Sequence, residues 1–371
     1  MNNKENFDLK SRLPFFIAEI GHNHQGSVET AKKMIKAAKD SGASAVKLQK
    51  RNNKKLYTKA LYNQIYDNKN SYGETYGEHR EFLELGKEEY LELKKYSDSL
   101  GIIFFATPFD FDSVDFLEEI GVSAYKIASA DLINTPLQKY IAKKGKQIFL
   151  STGGGTINDI TRACKAILPI NEKLCILHCT ASYPADISDM NLNVIPKLIK
   201  EFPKQIIGIS DHEHGIDAAA VAFMLGARVF EKHFTLNHSW KGTDHSFSLM
   251  PEGLKKLIRN INRIPKMLGD GNKQLLESEK KPLKKMGKSI VANKNLPAGH
   301  KLTEKDIALK SPAGGLPPYE LENILGKSLK KELAEDDLIT KEIVKKKFLK
   351  SKNKKPHLYF ITNTSHIVKK I

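Results

Sequence analysis

Two histidines stand at matching places in this sequence. His212 follows the short apolar run Ile206-Ile207-Gly208-Ile209-Ser210, and His233 follows Arg228-Val229-Phe230-Glu231 after a single lysine. A small-residue helix, Asp217 to Leu225, separates the two runs. Strand, helix, strand at this spacing makes a parallel βαβ unit, so both imidazoles should sit just past the carboxyl ends of neighbouring strands, within reach of one metal ion or phosphate. The loop Lys241-Gly242-Thr243-Asp244-His245-Ser246 offers one further carboxylate, Asp244. Two lysines, Lys47 and Lys126, lie inside otherwise apolar runs, where burial is costly without an anionic partner. Together with the hydroxyls of Thr107, Ser129 and Ser151 they describe a pocket for phosphate and carboxylate, the lysines as charges and the hydroxyls as oriented donors.

These residues need a scaffold that brings distant segments to one rim. Apolar runs at Phe15–Gly21, Ala45–Gln49, Ile102–Ala106, Ala124–Ile127, Gln147–Leu150, Leu174–His178, 206–210 and 228–231 read as eight strands. Helical patterns follow at 28–41, 87–100, 111–120, 136–144, 157–168, 191–201, 217–225 and 251–268. Eight strand–helix repeats over about 250 residues are the arithmetic of a (β/α)₈ barrel. Glu19, Lys47, Gln49, Thr107, Lys126, Ser129, Ser151, Tyr183, Ser210, His212 and His233 all fall at or just beyond strand ends, which in a parallel barrel converge on one face. Residues 51–86, polar and aromatic, read as a long insertion over one face.

The expected barrel domain is 1–268, followed by a polar, lysine-rich linker at 269–287. Residues 288–345 show short alternating strands and turn signals, a β-rich module of about 60 residues that is small for independent stability. Residues 346–371 form a basic tail in which Leu358-Tyr359-Phe360-Ile361-Thr362 resembles a further strand.

The formal charge of +17 on 371 residues is high, but the lysines are spread over helix faces and the tail. No arginine-rich, aromatic-interleaved stripe suggests nucleic-acid binding, and no apolar run approaches a membrane span. An attraction for small anionic molecules is the economical reading. Three cysteines without a paired framework (Cys164, Cys175, Cys179) and an N-terminus lacking an apolar signal region imply a reducing, cytoplasmic setting.

At this point the chain resembles the sialic acid synthase family. The resemblance runs from about residue 14 to 345. It is carried by Ala18-Glu19-Ile20-Gly21-His22-Asn23-His24-Gln25-Gly26, Lys47-Leu48-Gln49, Ala106-Thr107-Pro108-Phe109-Asp110, Lys126-Ile127-Ala128-Ser129, Ser151-Thr152-Gly153, Ser210-Asp211-His212, Glu231-Lys232-His233 and Gly242-Thr243-Asp244-His245. The C-terminal module resembles that family's SAF domain, an antifreeze-like β-clip that in family members covers the partner's active site in a domain-swapped homodimer. The resemblance implies a transferase that condenses phosphoenolpyruvate with the open-chain aldehyde of N-acetylmannosamine and water, giving N-acetylneuraminate and phosphate. It implies a divalent ion on His212 and His233, Mn²⁺ first, then Mg²⁺ or Co²⁺. Phosphoenolpyruvate would be held by Lys47, Thr107, Lys126, Ser129, Ser151 and Ser210. Glu19 would handle the proton of the attacking water. Gln49, Asp131, Tyr183 and Asp244 match positions that contact the sugar or metal-bound water.

Two positions depart from the bacterial pattern: Ala181 stands where many members carry asparagine, and Ser311 stands where the SAF domain carries an arginine. Trp240–Asp244 and Thr75–His79 look more like the animal type, which uses the sugar 6-phosphate. The 6-phosphate and a diacetamido-dideoxyhexose (the legionaminate and pseudaminate type) are therefore alternative acceptors. A Schiff-base aldolase acting through Lys126 and an inactive carbohydrate-binding scaffold are the competing functions.

Overall fold

The computed structural model describes residues 8–345; the expected strand at 358–362 and the tail around it lie outside the described residues. Eight parallel strands close into a barrel in sequence order. They are β1 (Phe15–Gly21), β2 (Ala45–Lys50), β3 (Ile103–Pro108), β4 (Ala124–Ile127), β5 (Gln147–Ser151), β6 (Leu174–Cys179), β7 (Ile206–Asp211) and β8 (Val229–His233). The barrel follows from the strands' composition. Each is a nearly continuous apolar run because helices cover the outer face while the lumen occupies the inner one. Helices begin where the sequence supplies caps. Ser27 accepts from the Thr30 amide, Asp110 from Ser113, and Thr156 forms a reciprocal capping box with Asp159.

The two-residue alternation of each strand sorts its side chains between lumen and helix layer. Register pairs Glu19 with Lys47 and Glu19 with His233, Lys47 with Phe105, Lys126 with Phe149, and Ser210 with Glu231. One layer toward the amino ends lie Phe15, Phe105 and Phe149. Phe149 stacks on Phe15 at 5.9 Å and meets Phe105 at 5.3 Å, and all three are fully buried. A phenylalanine plug therefore fills the lumen beneath a charged floor. His233 is the last residue of β8 and not a residue beyond it, because its ladder with β1 continues as far as Glu19.

Gly208 marks the tightest approach in the wall. A β-carbon there would lie 2.5 Å from the Val229 carbonyl oxygen and 2.7 Å from Leu177 Cδ2. Gly208→Ala should lower stability by about 2 kcal/mol through overpacking. Thermal or urea unfolding checks this, and an unchanged midpoint would contradict it.

The 51–86 insertion contains short helices at Asn53–Leu56, Lys59–Tyr62 and Tyr76–Leu83, the last opened by a Thr75–Glu78 capping box.

The chain divides after Gly269 into two compact units. In the second, the lysine-rich stretch expected as a connector contains a helix, Glu277–Met286. The β-rich module holds one antiparallel ladder, β9 (Ser289–Ala292) with β10 (Ile307–Lys310), and isolated bridges such as Leu296↔Leu333 and Leu329↔Val344. Turn residues interrupt pairing too often for longer strands. Its small core gathers Ile290, Leu302, Leu316, Leu329 and Ile339. Asp306 is 2% exposed and accepts from the Thr303 amide and hydroxyl at 2.9 and 2.7 Å, while Lys294 and His300 each approach to 2.9 Å. Burial would raise its pKa, but His300, Thr303 and Lys294 outweigh burial and hold it well below the usual carboxylate value. A depressed folded pKa contributes stability above the unfolded value of about 4, and that stability is lost as pH falls through it. Asp306→Asn should cost this unit about 2 kcal/mol at pH 7 and flatten its acid sensitivity. Calorimetry at pH 7 and pH 3 reads both, and a variant that melts like wild type at each pH refutes the assignment.

Candidate active site

A cavity of about 720 Å³ opens at the carboxyl ends of the barrel strands, within the usual range for small-molecule sites. Its floor is an ionic lattice. Lys47 Nζ lies 2.6 Å from Glu19 Oε2 and donates to Thr107 Oγ1 at 3.0 Å. Glu231 Oε1 sits 3.3 Å from Lys126 and 3.9 Å from Lys47, and it accepts from Ser210 at 2.9 Å. Gln49 Nε2 donates to Glu19 Oε1 at 2.7 Å.

Burial raises the Glu19 pKa, and Lys47 opposes this only in part. Burial acts the same way on Glu231, yet Lys126 and Lys47 overcome it and hold that carboxyl at about 2. Two neighbouring carboxylates thus differ in role. Glu231 is held as the anion of the lattice, while Glu19 lies above the ordinary carboxylate value. Burial lowers the Lys126 pKa, with Glu231 restoring part of the loss.

Hydroxyls face the same space. Ser151 Oγ is buried without a protein partner, so it is free to donate to a ligand. Ser129 Oγ accepts from the Gly153 amide at 3.0 Å, which fixes its direction. Gly153 cannot carry a side chain here: a β-carbon would lie 2.8 Å from both Ser129 Oγ and Ala181 Cβ.

The two imidazole rings lie 5.3 Å apart. His212 Nδ1 is 2.8 Å from the Thr180 carbonyl, so that nitrogen donates and Nε2 is left with its lone pair. His233 Nδ1 is buried without a hydrogen-bond partner, 3.5 Å from Asp244 Oδ2. Burial lowers both pKa values, His212 to about 4 with help from His233, which favours the neutral, ligating form of each ring. Among the described residues no group of three His, Cys, Asp or Glu side chains is arranged to hold a metal alone. The donor set that fits is two imidazole nitrogens, with other positions left for water and substrate oxygens. The Tyr183 ring leans over His212 at 4.2 Å between centroids, tilted by 39°.

Every candidate residue named from the sequence lines this cavity except Asp131. Past β4 the chain tightens into a 3₁₀ turn, Ser129–Asp131, whose last carboxylate accepts from Asn134 Nδ2 at 2.9 Å and so braces the start of the next helix.

The sequence reading left Glu231 without a role. Its signal was a carboxylate one period below His233 in an apolar strand, but the lysines that need it come from β2 and β4. Arg51, Arg80 and His22 also line the cavity; the insertion shows no periodicity to aim the two arginines, and His22 stands just past β1. Ser311 is engaged within its own unit, accepting from Lys288 Nζ at 2.9 Å and donating to the Met286 carbonyl at 3.0 Å.

Comparison with known proteins agrees with this architecture. The NeuB family matches residues 34–273 and the SAF domain matches 287–345. The N-acetylneuraminate-9-phosphate synthase of Homo sapiens is 40% identical over 331 residues, 89% of this chain and 92% of that protein. The N,N'-diacetyllegionaminic acid synthase of Campylobacter jejuni is 38% identical over 327 residues, 87% of this chain and 98% of its own length. Among solved structures, the N-acetylneuraminic acid synthetase of Leptospira borgpetersenii superposes with a TM-score of 0.62 at 35% identity, covering 72% of this chain and 89% of that one. A closed eight-stranded barrel with this rim, joined to an SAF module and matched along most of its length, belongs to the NeuB family of sialic acid synthases.

Proposed function

We propose that the protein condenses phosphoenolpyruvate with the open-chain aldehyde of an N-acetylated amino sugar of the N-acetylmannosamine class, yielding a nine-carbon 2-keto acid and phosphate. The observation that carries this reading is the pairing of a lysine-and-hydroxyl floor with two neutral imidazoles across one blind cavity. The Lys47 and Lys126 charges and the Ser129, Ser151 and Ser210 hydroxyls suit a phosphorylated three-carbon acid. The relatives' names point the same way without agreeing on the sugar.

His212 and His233 would hold a divalent ion, and nitrogen donors beside a carboxylate suit Mn²⁺ better than Mg²⁺. Such an ion supplies Lewis acidity toward a sugar oxygen when bound. Tyr183, packed on His212, and Gln49, anchored on Glu19, orient the sugar. A new bond forms between C3 of phosphoenolpyruvate and the aldehyde carbon as the carbonyl π pair moves onto the aldehyde oxygen, which takes up one proton to become a hydroxyl, and C2 is left oxocarbenium-like. Glu19 takes the proton of the water that adds there. The C2–O bond to phosphate then breaks, and Lys47 and Lys126 stabilise the departing dianion.

The test is release of inorganic phosphate from phosphoenolpyruvate across a panel of amino sugars. Phosphate should appear only when both substrates are present, with one nine-carbon acid formed per phosphate. A borohydride-trapped adduct on Lys126 would instead establish the Schiff-base aldolase, and phosphate release without any sugar would overturn the condensation. A homodimer in which the SAF unit of one copy serves the barrel of another belongs to the same proposal, and its readout is mass in solution.

A further inference from the structure

Directly beneath the two imidazoles the barrel wall carries a second ionic pair, turned away from the cavity. Register sets Ser210 opposite Glu231 and, one residue on, Asp211 opposite Lys232. Strand alternation sends the first pair inward, where both residues line the cavity, and the second outward. Asp211 is 3% exposed and Lys232 4%. Around them lie Phe16, Ile209, Ala219, Phe230, Leu254 and Leu257, in the layer between strands and helices.

The contacts of this pair converge on the two histidines. Lys232 Nζ donates to Asp211 Oδ2 at 2.7 Å and also to the Glu213 carbonyl. Asp211 Oδ1 accepts from the Glu213 amide at 2.8 Å, and Glu213 Oε2 lies 3.8 Å from the same ammonium. One lysine thus grips the residues on either side of His212, and that lysine is itself the neighbour of His233. His233 Nδ1 has no hydrogen-bond partner among the described residues. Its ring takes its direction from its strand and from Phe247, 5.0 Å away between centroids.

An apolar layer is an unfavourable place for two charges. A buried ion pair loses in desolvation about what it gains in attraction, and hydrophobic residues of the same volume would pack the helices at least as well. What such residues could not supply is direction, since dispersion contacts let neighbouring strands slide where a fixed hydrogen-bonding pair does not. Setting register is the best attested use of buried polar groups. We infer that Asp211 and Lys232 are positioning residues, which set the separation of the His212 and His233 rings and with it their joint affinity for a divalent ion. The rings lie 5.3 Å apart, and a displacement of either strand end changes that spacing directly. The inference rests on the reading of the two imidazoles as a donor set, and adds to it two side chains that touch neither ion nor substrate.

The test is titration of Mn²⁺ alone into the full-length protein, with phosphoenolpyruvate titrated separately to report on the rest of the cavity. One variant combines Asp211→Asn with Lys232→Met, which removes both charges and leaves neither buried alone; the milder one is Asp211→Asn. The double variant should bind Mn²⁺ about 10-fold more weakly or worse, the usual loss when support for a metal ligand is removed, with phosphoenolpyruvate affinity within about 3-fold of wild type. The single variant exchanges a charge-assisted contact for a neutral one and should lose about 3-fold for Mn²⁺. A folded double variant with wild-type Mn²⁺ affinity overturns the inference and leaves the pair as packing. Equal losses for Mn²⁺ and phosphoenolpyruvate overturn it as well, by showing general damage to the barrel. Should the double variant not fold, Asp211→Asn decides, and an unchanged Mn²⁺ affinity there overturns the inference. Wild type that fails to bind Mn²⁺ overturns the metal reading of the histidines, and this inference with it.

Discussion

Glu19→Gln should reduce kcat by about 10³-fold while leaving phosphoenolpyruvate binding within a fewfold of wild type. Burial raises both floor carboxylates, but only Glu19 ends above its ordinary value, because Lys126 and Lys47 pull Glu231 down, and general acid–base catalysis is worth about 10²–10⁴-fold. The amide retains the volume and can still meet Gln49, so the fold is little disturbed. It removes the carboxylate that lies 2.6 Å from Lys47, and with it the acceptor for the proton of the attacking water. Lys47 keeps Glu231 at 3.9 Å as a counter-charge. Phosphate-release kinetics with an independent binding titration separate the two effects. A kcat within 10-fold of wild type would remove Glu19 from the proton transfer.

His233→Ala should abolish condensation in the presence of ordinary Mn²⁺ concentrations, and chelation of wild type with EDTA should do the same, reversed by Mn²⁺. Isothermal titration with Mn²⁺ alone gives a readout independent of turnover. The variant should bind the ion at least about 10-fold more weakly, because it removes one of two protein ligands. His212 stays anchored on the Thr180 carbonyl, so a folded protein with a damaged donor set is the expected product. Equal Mn²⁺ affinity in variant and wild type, or full activity after exhaustive chelation, would eliminate the two-histidine metal site.

The barrel was legible because its signals are local. Each strand is an apolar run long enough to be recognised, and the helices between carry their own caps. The rim residues were legible for a related reason. A lysine inside Ala45–Gln49 or a glutamate inside Phe15–Gly21 violates the burial expected of its neighbours, and such violations mark sites. What the sequence could not show is partnership. Glu231 answers two lysines from β2 and β4, and only barrel closure brings those strands within reach. Arg51 and Arg80 sit in a stretch without periodicity, where nothing local says which way a side chain points. Asp131 was named from the family resemblance alone, and a single 3₁₀ turn past β4 turns its carboxylate to Asn134. In the C-terminal module the turn residues were visible, and how far they cut strand pairing short was not.

The packed rings of Phe15, Phe105 and Phe149 close the bottom of the lumen, which bears on the order in which the proposed substrates would load. A vessel with one door must be filled from the base upward. Under the proposed condensation the three-carbon acid, whose charges suit the lysines, would enter before the sugar, an order that steady-state inhibition patterns read directly. In that proposal the loading order would follow from the packing of three aromatic side chains beneath the site.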